Sequence, residues 1–248
     1  MIRAALAEGA QSRDDGFRHR GTEVSRVEAL SDAVFGFGIT LLVMSVEPPT
    51  SYADLIDSFR GLPAFAACFA LLAWLWHVHF VFCRRFGLTD PRFVILNTVF
   101  LFLVVFYMYP LKFVFVGFTY WLTGMAQQRY VAAPGMSAAE VSTLFVIYGL
   151  GFTLVTGVIA MMHAHALSLR RSLALNDHEA AATRLEIVQN LLRALVGLIC
   201  AGIASLVSAR YAGLSGFAFM LLGPFEAIGG ILRARLRQRF TPAAAPPG

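Results

Sequence analysis

Residues 26–49 read Arg-Val-Glu-Ala-Leu-Ser-Asp-Ala-Val-Phe-Gly-Phe-Gly-Ile-Thr-Leu-Leu-Val-Met-Ser-Val-Glu-Pro-Pro. After its first residues this stretch is apolar over the length that a helix needs to cross a bilayer. It nevertheless carries an ionisable residue, Asp32, about two helical turns from its start. A carboxylate at membrane depth is costly, so such residues usually face a protein interior or a water-filled path. The stretch therefore predicts a membrane-spanning helix with one polar, functionally important side.

The composition of the whole chain also indicates a membrane protein. Its 248 residues are 58% hydrophobic and only 14% charged, and the mean hydropathy is +0.67. A soluble domain carries roughly 25% charged and about 45–50% apolar residues. We expect an all-α membrane protein, because helices satisfy their own backbone hydrogen bonds in lipid.

Six apolar blocks are predicted to span the membrane as helices. They cover residues 27–46, 62–83, 93–118, 141–163, 187–209 and 213–232. They predict one transmembrane domain over residues 23–240, with an N-terminal tail at 1–22 and a C-terminal tail at 241–248. A potassium filter of the Thr-Val-Gly-Tyr-Gly type is absent, so we expect no re-entrant selectivity-filter loop.

The distribution of basic residues predicts the orientation of the spans. The two tails and the connections on their side carry 15 arginines, against 3 in the opposite connections. Both termini are therefore expected to be cytoplasmic, in a multi-pass protein of the plasma (inner) membrane. The connection after the first span would lie outside, where Glu47, Asp54 and Asp57 form an acidic mouth that concentrates cations.

Polar residues of different spans fall at one depth. Asp32 lies six residues after Arg26, about 9 Å along a helix axis, and His77 and Asn97 lie at a similar distance from their own flanking arginines. Three residues of the later spans reach the same level, namely His163, Arg193 and Glu226. Polar groups at a shared depth can satisfy one another, so we expect a buried polar belt.

The first span carries a motif that resembles a known family. Starting at Arg26, residues 26–32 read Arg-x-x-x-Leu-Ser-Asp, and residues 39–42 read Ile-Thr-Leu-Leu. This is similar to the signature of the transmembrane protein 175 family, the potassium channels of endolysosomes and prokaryotes, in which Phe takes the place of Leu30. The resemblance implies a homotetramer around the first helix that conducts potassium and other monovalent cations passively, without an enzymatic activity.

The resemblance also implies roles for individual residues. Ser31 and Asp32 match a clamp that is bonded to a His of the second helix and an Asn of the third, the places of His77 and Asn97. The belt would then position the pore helix, and ions would pass elsewhere.

The candidate pore lining is a separate stripe of the first span. Phe37, Leu41 and Met44 follow the i, i+4, i+7 spacing of one helix face, about 140° from Asp32. Periodicity alone is more typical of ordinary helix packing. The resemblance implies that these three residues form stacked constrictions of the pore and that Thr40 contributes to selectivity.

Two alternatives remain open at this point. Asp32, His77 and Glu226 at one depth could relay protons in a coupled transporter. The second alternative is a metal site between His77 and His163, whereas the pairs His77/His79 and His163/His165 diverge by about 200° and cannot chelate one ion. Catalytic and phosphate-binding motifs are absent, and we expect no cofactor, resident metal or nucleic-acid partner.

Overall fold

The computed structural model describes residues 17–44, 50–60, 62–122, 138–207 and 209–240 of the chain. The regular elements of these ranges are helices, and six helical segments are long and apolar enough to cross a membrane. The predicted fold class, an all-α membrane protein with six spans, is confirmed.

The helices extend beyond most of the predicted apolar blocks, because hydropathy detects only the part of a helix that lies in lipid. They are α1 (Arg26–Met44), α2 (Tyr52–Arg60), α3 (Leu62–Phe86), α4 (Pro91–Leu122), α5 (Ala138–Ser168), α6 (Asp177–Leu206), a 3₁₀ helix (Ala209–Leu221) and α7 (Leu222–Phe240).

Two elements differ in kind from the predicted spans. The short helix α2 lies between the first two spans and was not predicted, and the sixth span is divided into the 3₁₀ helix and α7. Of the predicted tails, residues 1–16 and 241–248 lie outside the described residues, as does Glu47 of the predicted acidic mouth. The side chains of Asp54 and Asp57 are not described either.

Helices α5 and α6 approach each other closely at two glycines. A Cβ atom on Gly197 would lie 2.6 Å from the carbonyl oxygen of Gly149 and 2.5 Å from Oγ1 of Thr153. The Thr153 hydroxyl oxygen lies 2.9 Å from the Gly149 carbonyl and 3.0 Å from the Ala194 carbonyl, so one proton is shared between the two helices. Small residues at such contacts are typical of membrane helices, where close packing replaces the hydrophobic effect.

Helix α1 packs on α3 and α4 through one face only. Its buried residues recur every three or four positions and are Glu28, Ser31, Phe35, Gly38 and Leu42. Its opposite face is exposed along the helix. The fold therefore presents one membrane-spanning helix at the edge of the bundle, with a long face that no other described part of the subunit covers.

Candidate functional site

The buried face of α1 is anchored by a chain of hydrogen bonds across three helices. Asn97 Nδ2 on α4 donates to Ser31 Oγ at 3.0 Å, and the Ser31 hydroxyl donates to the Val27 carbonyl at 2.8 Å. His79 on α3 lies 2.7 Å from Asn97 Oδ1 through its Nε2 atom. The amide oxygen can only accept, so Nε2 carries the proton. The polar groups of Ser31, His79 and Asn97 that face one another are therefore satisfied within the subunit.

In this anchor Ser31 bonds Asn97, the pair that the resemblance implied, but the histidine is His79 and not the predicted His77. His79 is buried in the network, whereas His77 is exposed and its ring faces Phe80 at 6.5 Å. Residues two apart on a helix point about 200° away from each other. Equal depth fixed the level of the histidine along the helix but not its face, which is why His77 was assigned to the network.

Asp32 has a different partner from the predicted one. Its Oδ1 atom accepts a hydrogen bond of 2.8 Å from Trp76 Nε1 on α3. Both residues are exposed at the surface of the subunit, beside the open face of α1. Asp32 therefore does not join the buried chain of Ser31, Asn97 and His79, although it is the next residue after Ser31.

The later spans supply a second polar cluster. Arg193 is buried on α6 and donates from Nε to Glu226 Oε1 at 2.6 Å, which confirms that these residues can satisfy each other. Its Nη1 atom donates to Asn190 Oδ1 at 2.9 Å, and its guanidinium lies 5.5 Å from the ring centre of Trp74. Cation–π contact and two polar partners make a buried arginine tolerable here.

The groups of the proposed proton relay are not brought together into one chain. Asp32 bonds Trp76, Glu226 bonds Arg193, and His77 lies beside Phe80. His163 is buried, and its Nδ1 atom donates to the Ile159 carbonyl at 2.9 Å. Among the described residues, no group of three or more His, Cys, Asp or Glu side chains could hold a metal ion.

The sequence reasoning missed one ionic contact of α1. Glu28 is buried, and its Oε1 atom lies 3.1 Å from Nη2 of Arg84 near the end of α3. Glu28 precedes Ser31 by three residues and so lies on the same helix face. That spacing is the signal that could have identified it, because an acidic residue in line with an anchor serine is directed at the same neighbouring helices.

The exposed face of α1 contains most of the candidate pore residues. Phe37 is 58% exposed and Met44 is 75% exposed, and Leu30 is also exposed, while Leu41 lies half-buried between the two faces. Thr40 is exposed and its hydroxyl donates to the Gly36 carbonyl at 3.0 Å. The oxygen of Thr40 keeps its lone pairs free to accept from, or to ligate, a group outside the helix.

The fold and the organisation of α1 define a multi-pass α-helical membrane protein. Residues 26–108 match the family described as "Endosomal/lysosomal potassium channel TMEM175". A protein of Marivirga tractuosa named "Potassium channel" is 34% identical over 229 residues, which are 90% of this chain and 93% of that protein. The chain belongs to the TMEM175 family.

Solved structures agree with this assignment. The crystal structure of a variant of the potassium channel MtTMEM175, in complex with a nanobody fusion protein, superposes with a TM-score of 0.78 at 32% identity, covering 90% of this chain and 99% of that chain. A lysosomal potassium-selective channel TMEM175 homolog from Chamaesiphon minutus has a TM-score of 0.53 at 22% identity, covering 82% and 96%. The second likeness supports the fold alone.

Proposed function

We propose that this protein is a passive channel for potassium and other monovalent cations, assembled as a homotetramer with α1 of each subunit around the pore. The observation that carries the proposal is the division of α1 into an anchored face and an open face. One helix cannot enclose a path, so closed symmetry is needed to form a pore. The membrane is the plasma (inner) membrane, with both termini in the cytoplasm.

The surface beside α1 is suited to a neighbouring subunit rather than to lipid. Asp32 and Trp76 are exposed there, and Asp32 lies about 9 Å beyond Arg26 along the helix axis. A carboxylate exposed to hydrocarbon at that depth would be strongly unfavourable. A second copy of the chain that covers this surface removes the cost and at the same time turns the open face of α1 toward a central axis.

The open face supplies a constriction and a ligand. Phe37 and Met44 are separated by about 10 Å along the axis, so their side chains in a tetramer would form successive apolar levels, with Leu41 between them. Apolar constrictions control ion passage by dewetting. Thr40 would contribute a ring of hydroxyl oxygens at an intermediate level, and these are the polar ligands available to a partly dehydrated cation.

Electrical recording in planar bilayers, with purified protein and opposed potassium and sodium gradients, tests the proposal. We expect a current that reverses near the potassium equilibrium potential and does not depend on a proton gradient. Strictly proton-coupled flux would refute the channel and support the transporter that the sequence left open. Native mass spectrometry in detergent tests the tetramer, and a monomer under all conditions would refute it.

A matched pair of threonines tests the role of Thr40. Thr40→Val should lower the preference for potassium over sodium without changing the melting temperature. Thr98→Val is the control, because Thr98 is exposed on α4 and makes the same bond within its helix, to the Val94 carbonyl at 2.8 Å. Equal selectivity in both variants and the wild type would remove Thr40 from the ion path.

A further inference from the structure

The residues just before α1 are packed into the end of the bundle. Phe17 is 2% exposed and its ring meets that of Phe86 edge-on at 5.5 Å between centres. The guanidinium of Arg85 lies 4.9 Å from the centre of the Phe17 ring. The last part of the predicted tail is therefore an ordered contact between the N-terminal segment and the end of α3.

A buried carboxylate at the start of α6 holds this segment, beside the Leu173 and Ala174 carbonyls, which also accept from Arg20 at 2.7 and 3.3 Å. Glu179 is 0% exposed, and Arg20 donates to both of its oxygens, from Nη2 at 2.7 Å and from Nη1 at 3.1 Å. The backbone N–H of Arg18 donates to Glu179 Oε1 at 2.8 Å. Glu179 also completes the capping box of α6, since its Oε2 atom accepts from the Asn176 N–H at 3.0 Å. A two-point arginine contact with a carboxylate fixes both position and orientation.

Arg84 holds the same segment from the other side. Its carbonyl accepts the N–H groups of Arg20 and Gly21 at 3.0 and 3.1 Å, and its Nη1 atom donates to the Gly21 carbonyl at 2.9 Å. The other side-chain nitrogen, Nη2, pairs with Glu28 in the first turn of α1. One arginine thus joins the N-terminal segment, α3 and the start of α1.

We propose that residues 17–21 form a clasp and that Glu179 is a positioning residue for ion conduction, which acts by fixing the start of α1 against α6. This inference rests on the proposed channel function. The chain from Gly21 to Arg26 spans at most about 17 Å, so the clasp limits how far the start of α1 can move.

The clasp and the Ser31 anchor together restrain α1 at two levels. When the clasp is released, the start of α1 is held only by the ion pair of Glu28 with Arg84, while Ser31 stays anchored, so the first turn can move and tilt the helix about the anchor. Phe37 lies about 9 Å beyond Ser31 along the axis, so a pivot at the anchor moves the constriction. With the clasp closed, α1 keeps the narrow position of Phe37, and opening the clasp widens the pore.

The variant Glu179→Gln separates the clasp from the helix cap. The amide oxygen of glutamine still accepts the Asn176 N–H, as a capping box requires, but the charge that holds Arg20 is lost. Arg20→Gln removes the same pair from the other side. Arg170→Gln is the matched control, because Arg170 pairs with Asp177 at 2.6 Å on the surface of the same helix start and does not touch the clasp.

Potassium flux into liposomes measures the effect on conduction. We expect Glu179→Gln and Arg20→Gln each to raise flux by about fivefold or more, the lower end of typical coupling between sites. The double variant should exceed neither single variant, and Arg170→Gln should match the wild type. A flux equal to that of the wild type in both single variants, with only a lower melting temperature, would reduce the clasp to a structural contact and overturn the inference.

Hydrogen–deuterium exchange separates a failed clasp from a failed channel. Glu179→Gln should speed amide exchange in the peptide covering residues 17–31, and Arg170→Gln should not. Unchanged exchange in that peptide overturns the clasp whatever the flux. If the wild type carries no potassium current at all, the channel proposal fails, and the exchange result alone then decides whether the segment holds α1.

Discussion

The two faces of α1 are formed by neighbouring residues of one short stretch, yet one face is buried against other helices and the other is exposed. On the buried face, Ser31 and Phe35 are enclosed by α3 and α4, and the polar groups there are paired within the subunit. On the open face, Phe37 and Thr40 are exposed. In the proposed channel, the buried face would fix the position of the helix and the open face would line the path of the ions. Substitutions on the two faces should therefore change different observables.

The largest expected effect comes from comparing two phenylalanines two positions apart. Phe35 is 3% exposed, and its ring centre lies 6.1 Å from those of both His79 and Phe100. Phe35→Ala should cost roughly 3–5 kcal/mol of folding free energy, as buried aromatic truncations do. Phe37→Ala removes an exposed ring and should instead wet the constriction, raising cation flux and weakening potassium preference.

Thermal melting in detergent and liposome flux on the same preparations separate the two outcomes. The division between the faces fails if Phe37→Ala melts much earlier and shows no increase in flux, because Phe37 would then be a packing residue. The separate roles of the two faces are supported if Phe35→Ala lowers the melting temperature while the protein that remains folded keeps the selectivity of the wild type.

The next effect tests the buried anchor itself. Asn97→Leu leaves the Nε2 proton of His79 without an acceptor and removes a donor from Ser31. Each buried unpaired group costs about 1–3 kcal/mol, so the variant should melt well below the wild type. Thr98→Ala is the control on the adjacent, exposed position and should stay within about 0.5 kcal/mol. Similar melting of the two variants would show that the anchor does not stabilise the subunit.

The sequence allowed the fold and the level of the anchor to be predicted, because both follow from hydropathy and from distances along a helix. The six spans follow from hydropathy, and the shared level of Asn97, Arg193 and Glu226 follows from distances along the helices. The contact of Ser31 with Asn97 was implied only by the resemblance to the family. A local periodicity also predicted the stripe of Phe37 and Met44, and the structure leaves both residues exposed.

The remaining details depend on rotation about helix axes and on contacts between distant segments. Choosing His79 over His77 requires knowing which face of α3 meets α4, and hydropathy of an almost wholly apolar helix does not define that face. The contact of Arg20 with Glu179 joins residues far apart in the chain. Arg20 is typical of a charged residue in a tail, and Glu179 is typical of one at a helix start. The sequence pattern therefore does not indicate that they pair.

A smaller effect is expected at the exposed polar pair. Asp32→Ala leaves Trp76 Nε1 without its acceptor at the surface of the subunit. The loss should be roughly 1 kcal/mol per subunit and should appear in assembly, since the pair lies where a neighbouring copy is proposed to pack. Native mass spectrometry should show fewer tetramers. Trp76→Phe, which removes only the donor, should act in the same direction, whereas unchanged assembly in both variants together with altered selectivity would place Asp32 in the ion path.

The smallest effect should come from His77, and it bears directly on which histidine belongs to the anchor. His77 is exposed and its ring contact is with Phe80, so His77→Ala removes no buried hydrogen bond. Its melting temperature should correspond to a change within about 0.5 kcal/mol, as for ordinary surface substitutions.

His79→Ala opens a cavity beside Phe35 and Phe100 and leaves Asn97 Oδ1 without its donor, so it should resemble Asn97→Leu. In a double-mutant cycle, His79→Ala and Asn97→Leu should be strongly non-additive because they break the same bond, while His77→Ala and Asn97→Leu should simply add. Coupling of Asn97 to His77 rather than to His79 would reverse the assignment and rotate α3 by half a turn relative to the arrangement described.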